Sequence, residues 1–546
     1  YILMCGTGVG FSVEEKHVGE LPIVNEHLEK SETTVYVADS RAGWARSLRE
    51  MISLLYAGQI PSVDISAVRP AGTRLKTMGG RASGPEPLIE LFDFVIELFK
   101  KAAGRRLSSL ECHDIMCKIG EIVVVGGVRR SALISLSDLR NREMSHAKSG
   151  NWWENDGQRA LANNSVAYDK KPDIGTFMKE WLSLYDSKSG ERGIFNREAA
   201  KMKVEENGRR DSNHAFGCNP CSEIILRPYQ FCNLSEVVVR PTDTLEDLNR
   251  KVRLATALGT FQSTMTNFKY LRKVWQKNTE EERLLGVSLT GIMDHSVLSK
   301  TVDSVRWLRE MKQNAIDQNA YLAEEIGIER SAAITCVKPS GTVSQLVDAA
   351  SGIHARHNPY YVRTVRGDNK DPLTQFLMDS GVPHEPDFMK PDNTTVFSFL
   401  TRSPDGASCR NDMSALEQLE LWKLYAVHWC EHKPSVTISV KEHEWIEVGA
   451  WVYENFDLCS GISFLPFSDH TYKQAPYQDI TKEEYEGKFQ YVEGTDGEQT
   501  QMDLNCPVDI NWDDMLNYET EDTTNGNREL ACSAGSCEIV DIVAAE

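Results

Sequence analysis

The chain has 546 residues, of which 41% are hydrophobic and 26% charged, and this composition is typical of a globular protein with a substantial core. A formal net charge of -20 argues against broad binding of a nucleic-acid backbone, although a few local cations are enough to hold a nucleotide. No run of about 18 apolar residues suggests a membrane span. Thirteen cysteines, an odd number spread over a long chain, favour a reducing cytoplasm over a disulfide scaffold.

The first residues, Tyr1 to Cys5, include no signal-peptide pattern and no initiator methionine. We therefore expect the chain to be truncated at its N-terminus. Apolar residues at three- and four-residue steps predict a helix over 85–101, and a second amphipathic helix is predicted over 412–432. Residues 121–125 and 435–440 read as strands. Strands that alternate with helices predict an α/β fold with parallel pairing.

The C-terminal region changes in composition. From about Gly494 to Leu530 the chain is polar and acidic, which is typical of a flexible or loosely packed linker. Cys532 and Cys537 follow it, close to the end. Two thiols on such a tail are poorly placed for a structural role, and they indicate a mobile redox arm.

The residues with the most obvious chemistry are Asn219, Cys221 and Glu223, which occupy alternate positions in one short segment. In an extended conformation their side chains would project to the same side. A hydrogen-bonding amide, a thiol and a general base would then face one small substrate. A second thiol, Cys232, lies eleven residues after Cys221 and could supply reducing equivalents.

Two other interpretations of these cysteines stay open at this point. Cys218 and Cys221 form a Cys-x-x-Cys pair, and Cys532 and Cys537 could complete a four-cysteine zinc site. The same pair could be a thioredoxin-like redox motif, although the usual aromatic context is missing. A polar turn with an incidental cysteine is the simplest alternative.

Four further segments could bind anions. Gly6–Gly10 and Gly79–Gly84 are glycine-rich, and two arginines follow the glycines of 126–130. Lys338–Thr342 resembles the start of a helix, where backbone N–H groups, hydroxyls and a lysine can hold phosphate. Each segment could equally be a close-packed turn, a solvated turn or a simple helix cap.

Taken together, these motifs resemble those of ribonucleotide reductases, specifically the adenosylcobalamin-dependent (class II) ribonucleoside-triphosphate reductases of the monomeric type. They appear in the family's order along nearly the whole chain. The resemblance rests on residues 5–11, 79–85, 125–132, 161–167, 219–223, 231–234, 338–342 and 532–537.

The resemblance implies a ten-stranded α/β barrel, built of two parallel halves, with a central finger loop that carries Cys221. It divides the chain into the start of the barrel (1–12), an insertion resembling the effector region of monomeric reductases (13–68), the catalytic barrel (69–493) and a flexible tail (494–546). Because that insertion takes the place of a dimer contact in the family, a monomer is expected.

The resemblance also implies a chemistry. Homolysis of the cobalt–carbon bond of adenosylcobalamin leads to oxidation of Cys221 to a thiyl radical, which removes the 3′-hydrogen of the ribose. Glu223 takes the 3′-OH proton, Asn219 holds the sugar hydroxyls, and Cys232 helps the 2′-OH to leave as water. The tail pair Cys532/Cys537 then reduces the resulting disulfide by thiol exchange, with a thioredoxin-like protein as the external reductant.

The other implied sites bind nucleotides. The residues expected to bind the ribonucleoside triphosphate substrate are Gly8, Gly10, Pro339, Ser340, Gly341 and Thr342. Those expected to bind a deoxynucleotide effector are Gly79, Arg81, Ser83, Gly127, Arg129 and Arg130. No resident metal ion, nucleic acid or membrane partner is expected.

The chain departs from the family motif at Cys218 and Ser222, where threonine and glycine are usual. In the family, the partner of Cys232 lies upstream of the glycine-rich loop, so it is expected to precede Tyr1. Three alternatives remain open: the large subunit of a class I diphosphate reductase, an inactive nucleotide-binding relic, and a zinc-stabilised α/β protein.

Overall fold

The computed structural model describes residues 1–73, 82–125, 128–129, 132–300, 303–341, 343–369, 371–388, 391–392, 394–467, 474–493, 499–507 and 509–518. The strands are β1 (Val9–Ser12), β2 (Glu29–Tyr36), β3 (Gln59–Asp64), β4 (Val124–Val125), β5 (Val128–Arg129), β6 (Leu133–Ser137), β7 (Ala162–Tyr168), β8 (Gly193–Asn196), β9 (Gly217–Cys218), β10 (Ile225–Leu226), β11 (Asn233–Val238), β12 (Leu285–Thr290), β13 (Tyr360–Asp368), β14 (His384–Pro386), β15 (Thr394–Arg402), β16 (Thr437–Val440), β17 (Gly461–Pro466), β18 (Tyr477–Asp479), β19 (Phe489–Glu493) and β20 (Gln499–Asp503).

The α-helices are α1 (Glu15–Val18), α2 (Arg41–Tyr56), α3 (Glu86–Lys101), α4 (Ser109–Glu121), α5 (Arg142–Ser145), α6 (Trp152–Asn155), α7 (Ile174–Ser187), α8 (Arg197–Glu206), α9 (Leu245–Gln262), α10 (Lys273–Glu282), α11 (Ser304–Ile326), α12 (Val343–Leu346), α13 (Pro372–Asp379), α14 (Ala415–His428), α15 (Trp445–Glu454) and α16 (Lys482–Gly487). Short 3-10 helices occupy Leu3–Cys5, Gly157–Leu161, Ile292–Asp294, Arg410–Asp412, Glu442–Glu444 and Trp512–Asn517.

The central sheet has six strands in the order β1-β6-β7-β8-β17-β16. The neighbours β1, β6, β7 and β8 pair in parallel, and so do β17 and β16. The pair β8 and β17 is antiparallel, with Gly461 opposite Phe195. The sheet therefore joins two parallel halves that run in opposite directions.

Two isolated bridges continue the second half of the sheet. Pro434, just before β16, pairs in parallel with Val337, and Thr335 of the same segment pairs with Val287 of β12. Because β12 pairs in parallel with β11, the row of extended segments reaches from β1 to β11. No pairing closes this row among the described residues, so the structure shows a mixed α/β arrangement without the predicted closed ten-stranded barrel.

Helix α14 and the residue that follows it hold the second half of the sheet through three aromatic side chains. Trp422, Tyr425 and Trp429 are fully buried in the largest hydrophobic cluster. Trp422 donates its indole N–H to the carbonyl of Pro434 (2.9 Å), and Trp429 donates to that of Cys336 (2.7 Å). Buried aromatic residues of this kind combine a large apolar area with one directional bond. They fix the segment between α14 and β16 against the neighbouring strand.

A second cluster covers the N-terminal part of the chain. Strands β2 and β3 pair in parallel, and α2, α3 and α4 pack with them around Met51, Leu55, Phe92 and Phe99. Helix α4 begins at a capping box, in which Ser108 and Glu111 satisfy each other's backbone N–H groups.

The sequence predicted two helices and one strand close to their observed positions. The helix over 85–101 is α3, the helix over 412–432 is the shorter α14, and the strand over 435–440 is β16. The strand predicted over 121–125 is wrong. Glu121 is the last residue of α4, and only Val124 and Val125 form a two-residue strand, because the apolar run there serves as a helix end and a turn.

The polar C-terminal region contains ordered structure. Strands β19 and β20 form an antiparallel hairpin, in which Phe489 lies opposite Asp503. The boundary predicted at Gly494 thus falls inside this hairpin. None of the helices in the described ranges is long and apolar enough to cross a membrane.

Candidate active site

The segment with the predicted catalytic residues is a tight loop between β9 and β10, which pair in an antiparallel manner. The backbone N–H of Ser222 donates to the carbonyl of Asn219 (2.8 Å), and the N–H of Ile224 donates to the side-chain Oδ1 of Asn219 (3.0 Å). Ser222 has a φ of 64°. The expected extended conformation is therefore wrong, since a turn organises these residues. We call residues 217–226 the finger loop.

Gly8 and Gly10 lie directly against the finger loop. A Cβ atom at Gly8 would come within 2.7 Å of Cγ of Pro220, and one at Gly10 would collide with the carbonyl oxygen of Cys218. Only glycine allows so close an approach of two backbone segments. Gly8 and Gly10, which the sequence predicted to bind substrate, are thus needed for close packing against the finger loop.

Strand β7 and the segment just before β16 both hold the finger loop. Asn163 of β7 donates its amide N–H to the carbonyl of Pro220 (3.0 Å). On the other side, the backbone N–H of Lys433 donates to the carbonyl of Glu223 (3.0 Å). His432 donates from Nε2 to the carbonyl of Leu285 (3.0 Å), and its Nδ1 accepts from Ile225 (3.4 Å). Burial lowers the pKa of this imidazole well below its usual value, consistent with the neutral tautomer that these bonds require.

Glu223 is the most unusual carboxylate of the loop. Its side chain is fully buried, and neither carboxylate oxygen has a hydrogen-bond partner among the described residues. Burial raises the pKa of this carboxyl, and the nearby backbone N–H of Glu223 itself, Asn219, Lys338 and Lys433 oppose that effect, although none of them forms a hydrogen bond of normal geometry with the carboxylate. A buried carboxylate without a partner is costly unless a ligand completes it. The arrangement suits a general base whose proton donor is a bound substrate.

The two predicted redox thiols occupy different positions. Cys221 lies on the finger loop and keeps part of its surface open. Cys232 immediately precedes β11 and is half-buried against a small hydrophobic cluster of Leu284, Ala332 and Ala333. Burial raises the pKa of the Cys232 thiol, the carboxylate of Glu223 raises it further, and Arg210 opposes both. The fold therefore brings Cys232 into the electrostatic neighbourhood of Glu223.

The predicted phosphate loop contacts β11, the strand that follows Cys232. Ser340 is buried, and its hydroxyl donates to Oε2 of Glu236 (2.8 Å), a residue of β11. The other oxygen of Glu236 has no partner among the described residues. Burial raises the pKa of Glu236, whereas Ser340 and Lys338 lower it. The charge of Lys338 thus acts on both Glu223 and Glu236.

The helix expected after this phosphate loop is short. It is α12, which has only four residues, and the hydroxyl of Ser340 accepts from the N–H of Ser344 (3.1 Å). Gly341 donates its N–H to the carbonyl of Pro339 (3.1 Å). The segment is therefore a compact turn followed by a single helical turn, and a long helix dipole contributes nothing to it.

Several predicted site residues cannot be placed. Of the effector set, Ser83 lies shortly before α3, and Arg129 belongs to the short strand β5. The predicted residues outside the described part of the chain are Gly79, Arg81, Gly127, Arg130, Thr342, Cys532 and Cys537. No group of three or more potential metal-binding side chains occurs in the described ranges. The alternative zinc site needs the two tail cysteines, so it cannot be assembled from described residues.

Some residues of this site were missed by sequence reasoning. Asn163, Glu236, His432 and Lys433 touch the finger loop or the phosphate loop, although none was selected as a site residue. A weak signal was available for two of them. Asn163 lies within a motif of the resemblance, and Glu236 follows Cys232 by four positions in an alternating strand.

Comparisons with known proteins agree with the motifs. A family model described as "B12-dependent ribonucleotide reductase, insertion domain" matches residues 17–99. Over 90% of the chain, the sequence is 29% identical to an adenosylcobalamin-dependent ribonucleoside-triphosphate reductase of Euglena gracilis. The chain is a relative of the adenosylcobalamin-dependent ribonucleoside-triphosphate reductases. The resemblance seen in the sequence is thereby confirmed.

Other relatives carry the same name. The enzyme of Lactobacillus delbrueckii is 27% identical over 98% of the chain, and a probable one of Dictyostelium discoideum is 30% identical over 82%. The chain spans 66% of the length of the Euglena protein, 79% of the Lactobacillus protein and 59% of the Dictyostelium protein. A crystal structure of a B12-dependent (class II) ribonucleotide reductase shares the fold, with a TM-score of 0.73 at 24% identity, over 89% of this chain and 75% of that one.

Proposed function

We propose that this protein reduces ribonucleoside triphosphates to 2′-deoxyribonucleoside triphosphates by a thiyl radical mechanism that depends on adenosylcobalamin. The observation that carries the proposal is the finger loop itself. It presents a partly open thiol, Cys221, two residues from a fully buried carboxylate, Glu223, whose oxygens lack partners among the described residues. The names of the relatives support the same activity.

The site residues fit the cofactor that these names imply. A thiol that a bound cofactor oxidises must be reachable, and Cys221 is only partly covered. When bound, adenosylcobalamin supplies the oxidising equivalent that such a thiol needs. Cys221 is the residue that would face it. The surrounding loop, held by Asn163 and Lys433, keeps the thiol in one position.

The protein's own residues then act on the ribose. The thiyl of Cys221 takes the 3′-hydrogen, and Glu223 takes the proton of the 3′-OH, so the 2′-OH can leave as water. Two thiols supply the two electrons and become a disulfide, and Cys232 is one of them. The 3′-hydrogen returns to the carbon, and Cys221 is a radical again. The sum is one ribonucleotide and one dithiol converted to one deoxyribonucleotide, one disulfide and water.

The wider assignments belong to the same proposal. The row of segments from β1 to β11, with its antiparallel junction, supports a barrel of two parallel halves around the finger loop. The family match over residues 17–99 supports an insertion that governs effector response, with the loops at 79–84 and 126–131 as effector contacts. We also propose that the protein is a monomer, that it works in the cytoplasm, and that a thioredoxin-like protein reduces it.

The test is an assay with a ribonucleoside triphosphate, a small dithiol and adenosylcobalamin. We expect a 2′-deoxynucleotide with the wild-type protein and none with Cys221→Ala. Cys409→Ala is the matched control, because Cys409 is a buried thiol beside Asp412 and far along the chain from the loop. Absence of product with the wild-type protein would contradict the proposal, and product formed without cobalamin would indicate another source of the radical.

A further inference from the structure

Lys433 is a buried lysine behind the finger loop that takes no part in the hydrogen, proton and electron transfers described above. Its side chain is 1% exposed. The ammonium donates to Oγ of Ser222 (2.9 Å) and to the carbonyl of Ser460 (3.2 Å), and it lies 4.7 Å from the centre of the Phe195 ring. A buried ammonium that lacks a carboxylate partner is costly, so an oriented set of neutral partners is needed to hold it.

The space for this ammonium depends on a glycine. A Cβ atom at Gly461 would come within 2.7 Å of Nζ of Lys433 and would collide with the hydroxyl of Ser222. Ser222 has a φ of 64°, a conformation that glycine adopts freely and other residues adopt at a cost. The bond from Lys433 offsets part of that cost, so Lys433 holds the turn between Cys221 and Glu223 in place.

Cys218 is the third member of this cluster. Its thiol is buried. Burial raises the pKa of the thiol, while the charge of Lys433 and the hydroxyl of Ser222 lower it. Cys218 and Ser222 are the two positions at which this chain departs from the motif of its family. Both residues are therefore influenced by Lys433: Ser222 accepts a hydrogen bond from it, and Cys218 feels its charge.

We propose that Lys433 is a positioning residue for the radical thiol: together with Ser222 and the carbonyl of Ser460 it forms a buried polar clamp that fixes the finger loop from the rear. The role of the thiol rests on the function proposed above, whereas the clamp itself is a property of the folded chain. The Lys433 ammonium donates to the hydroxyl of Ser222 and to the carbonyl of Ser460. Lys433 acts through Ser222 and through the backbone of Glu223, which accepts from the Lys433 N–H.

Charge gives the clamp a second effect. Burial lowers the pKa of Lys433 to about 8, while the groups that oppose this shift are Cys218 and Glu223. In turn, the charge of Lys433 lowers the pKa of Glu223, together with Asn219 and Lys338. Loss of the ammonium therefore raises the pKa of the general base as well as loosening the loop.

The first experiment compares Lys433→Met with the wild-type protein. We expect kcat to fall by about tenfold to a hundredfold with a small change in KM, since displacement of a reacting group by about 1 Å has this scale of effect. The acidic limb of the pH–rate profile should move to higher pH, a shift that loose packing alone would not cause. Lys423→Met is the matched control. Lys423 is a partly buried lysine of α14, and its ammonium donates to Asn455, the residue that follows α15 (2.9 Å).

The second experiment works on the protein without cofactor or substrate. Alkylation of Cys221 by iodoacetamide, followed by peptide mass spectrometry, should be several-fold faster in Lys433→Met than in the wild type and unchanged in Lys423→Met. This result would stand even if the protein had no reductase activity, so the two proposals can fail separately. An unchanged alkylation rate in a folded Lys433→Met protein would overturn the clamp.

A double variant tests whether Lys433 acts through Ser222. In a Ser222→Gly background the hydroxyl acceptor is already absent, so Lys433→Met should change the alkylation rate by a smaller factor than it does in the wild type. Equal factors in both backgrounds would show that the lysine works independently of Ser222, contrary to the proposal. Thermal unfolding of all four proteins identifies any variant that does not fold.

Discussion

The side-chain amide of Asn163 donates to the carbonyl oxygen of Pro220 across 3.0 Å, and this bond ties β7 to the loop that carries Cys221. Because Pro220 also covers Gly8, the bond closes one side of the loop against the first half of the sheet. The position of the thiol is therefore shared between two distant parts of the sequence.

Replacement of Asn163 by alanine should loosen the loop without unfolding the protein. We expect a loss of about 1 kcal/mol in the free energy of unfolding, the scale of one hydrogen bond, and a clear fall in kcat. Chemical denaturation and steady-state kinetics measure the two effects. Asn213→Ala is the control, since Asn213 is exposed and its side chain bonds to nearby Asp211. An equal fall in kcat for Asn213→Ala would show that the effect of Asn163→Ala does not depend on the bond to the finger loop.

Glu223→Gln should abolish the proton transfer while keeping the shape of the side chain. Activity should fall by about 10² to 10⁴, the usual contribution of a general base. Since burial raises the pKa of Glu223, wild-type activity should decline on acidification at a pH above the ordinary range of glutamate. Normal activity in Glu223→Gln would exclude this carboxyl as the base.

The same substitution has a consequence for stability. A carboxyl whose pKa is raised in the folded state contributes stability that is fully present below its unfolded pKa and is lost as the pH rises through the folded value. As the pH rises above the ordinary glutamate value of about 4.5, wild-type stability should therefore decrease relative to Glu223→Gln. Denaturation midpoints across this range measure the difference, and parallel pH curves for the two proteins would contradict it.

Gly10→Ala should damage the site through packing alone. Its Cβ atom would collide with the carbonyl oxygen of Cys218, and both groups are backbone, so neither can move aside cheaply. We expect a loss of about 1–3 kcal/mol in stability together with reduced activity. Gly157→Ala is the control, because a Cβ atom there meets open space. Thermal unfolding would disprove the packing role if both variants behaved alike.

Loss of the tail thiols should separate two kinds of reductant. With Cys532 and Cys537 both changed to serine, turnover with a small dithiol should persist, because such a molecule can reach the active-site disulfide directly. Turnover with a thioredoxin-type protein should be lost, since a protein reductant is too large to enter. Equal activity with both reductants would contradict the predicted role of the tail.

The sequence pointed to the candidate residues of the site more readily than to the contacts that hold them. Asn219, Cys221 and Glu223 are close in sequence, and helix α3 has a strong apolar period, so local patterns were sufficient for them. Lys433 contacts Ser222 across 211 positions, and no local pattern signals such a contact. The turn conformation was missed for a related reason, because an alternation of three residues does not distinguish a strand from a loop that other segments hold.

The antiparallel junction between β8 and β17 has a consequence for how the protein is made. The finger loop follows β8 in the chain, whereas Lys433 and Gly461 belong to segments that are synthesised much later. A growing polypeptide therefore has Cys221 long before it has the residues that fix the finger loop in place. Only a chain complete through β17 can hold the thiol as described, so under the proposed function a partly synthesised chain would lack the geometry that a radical on Cys221 needs.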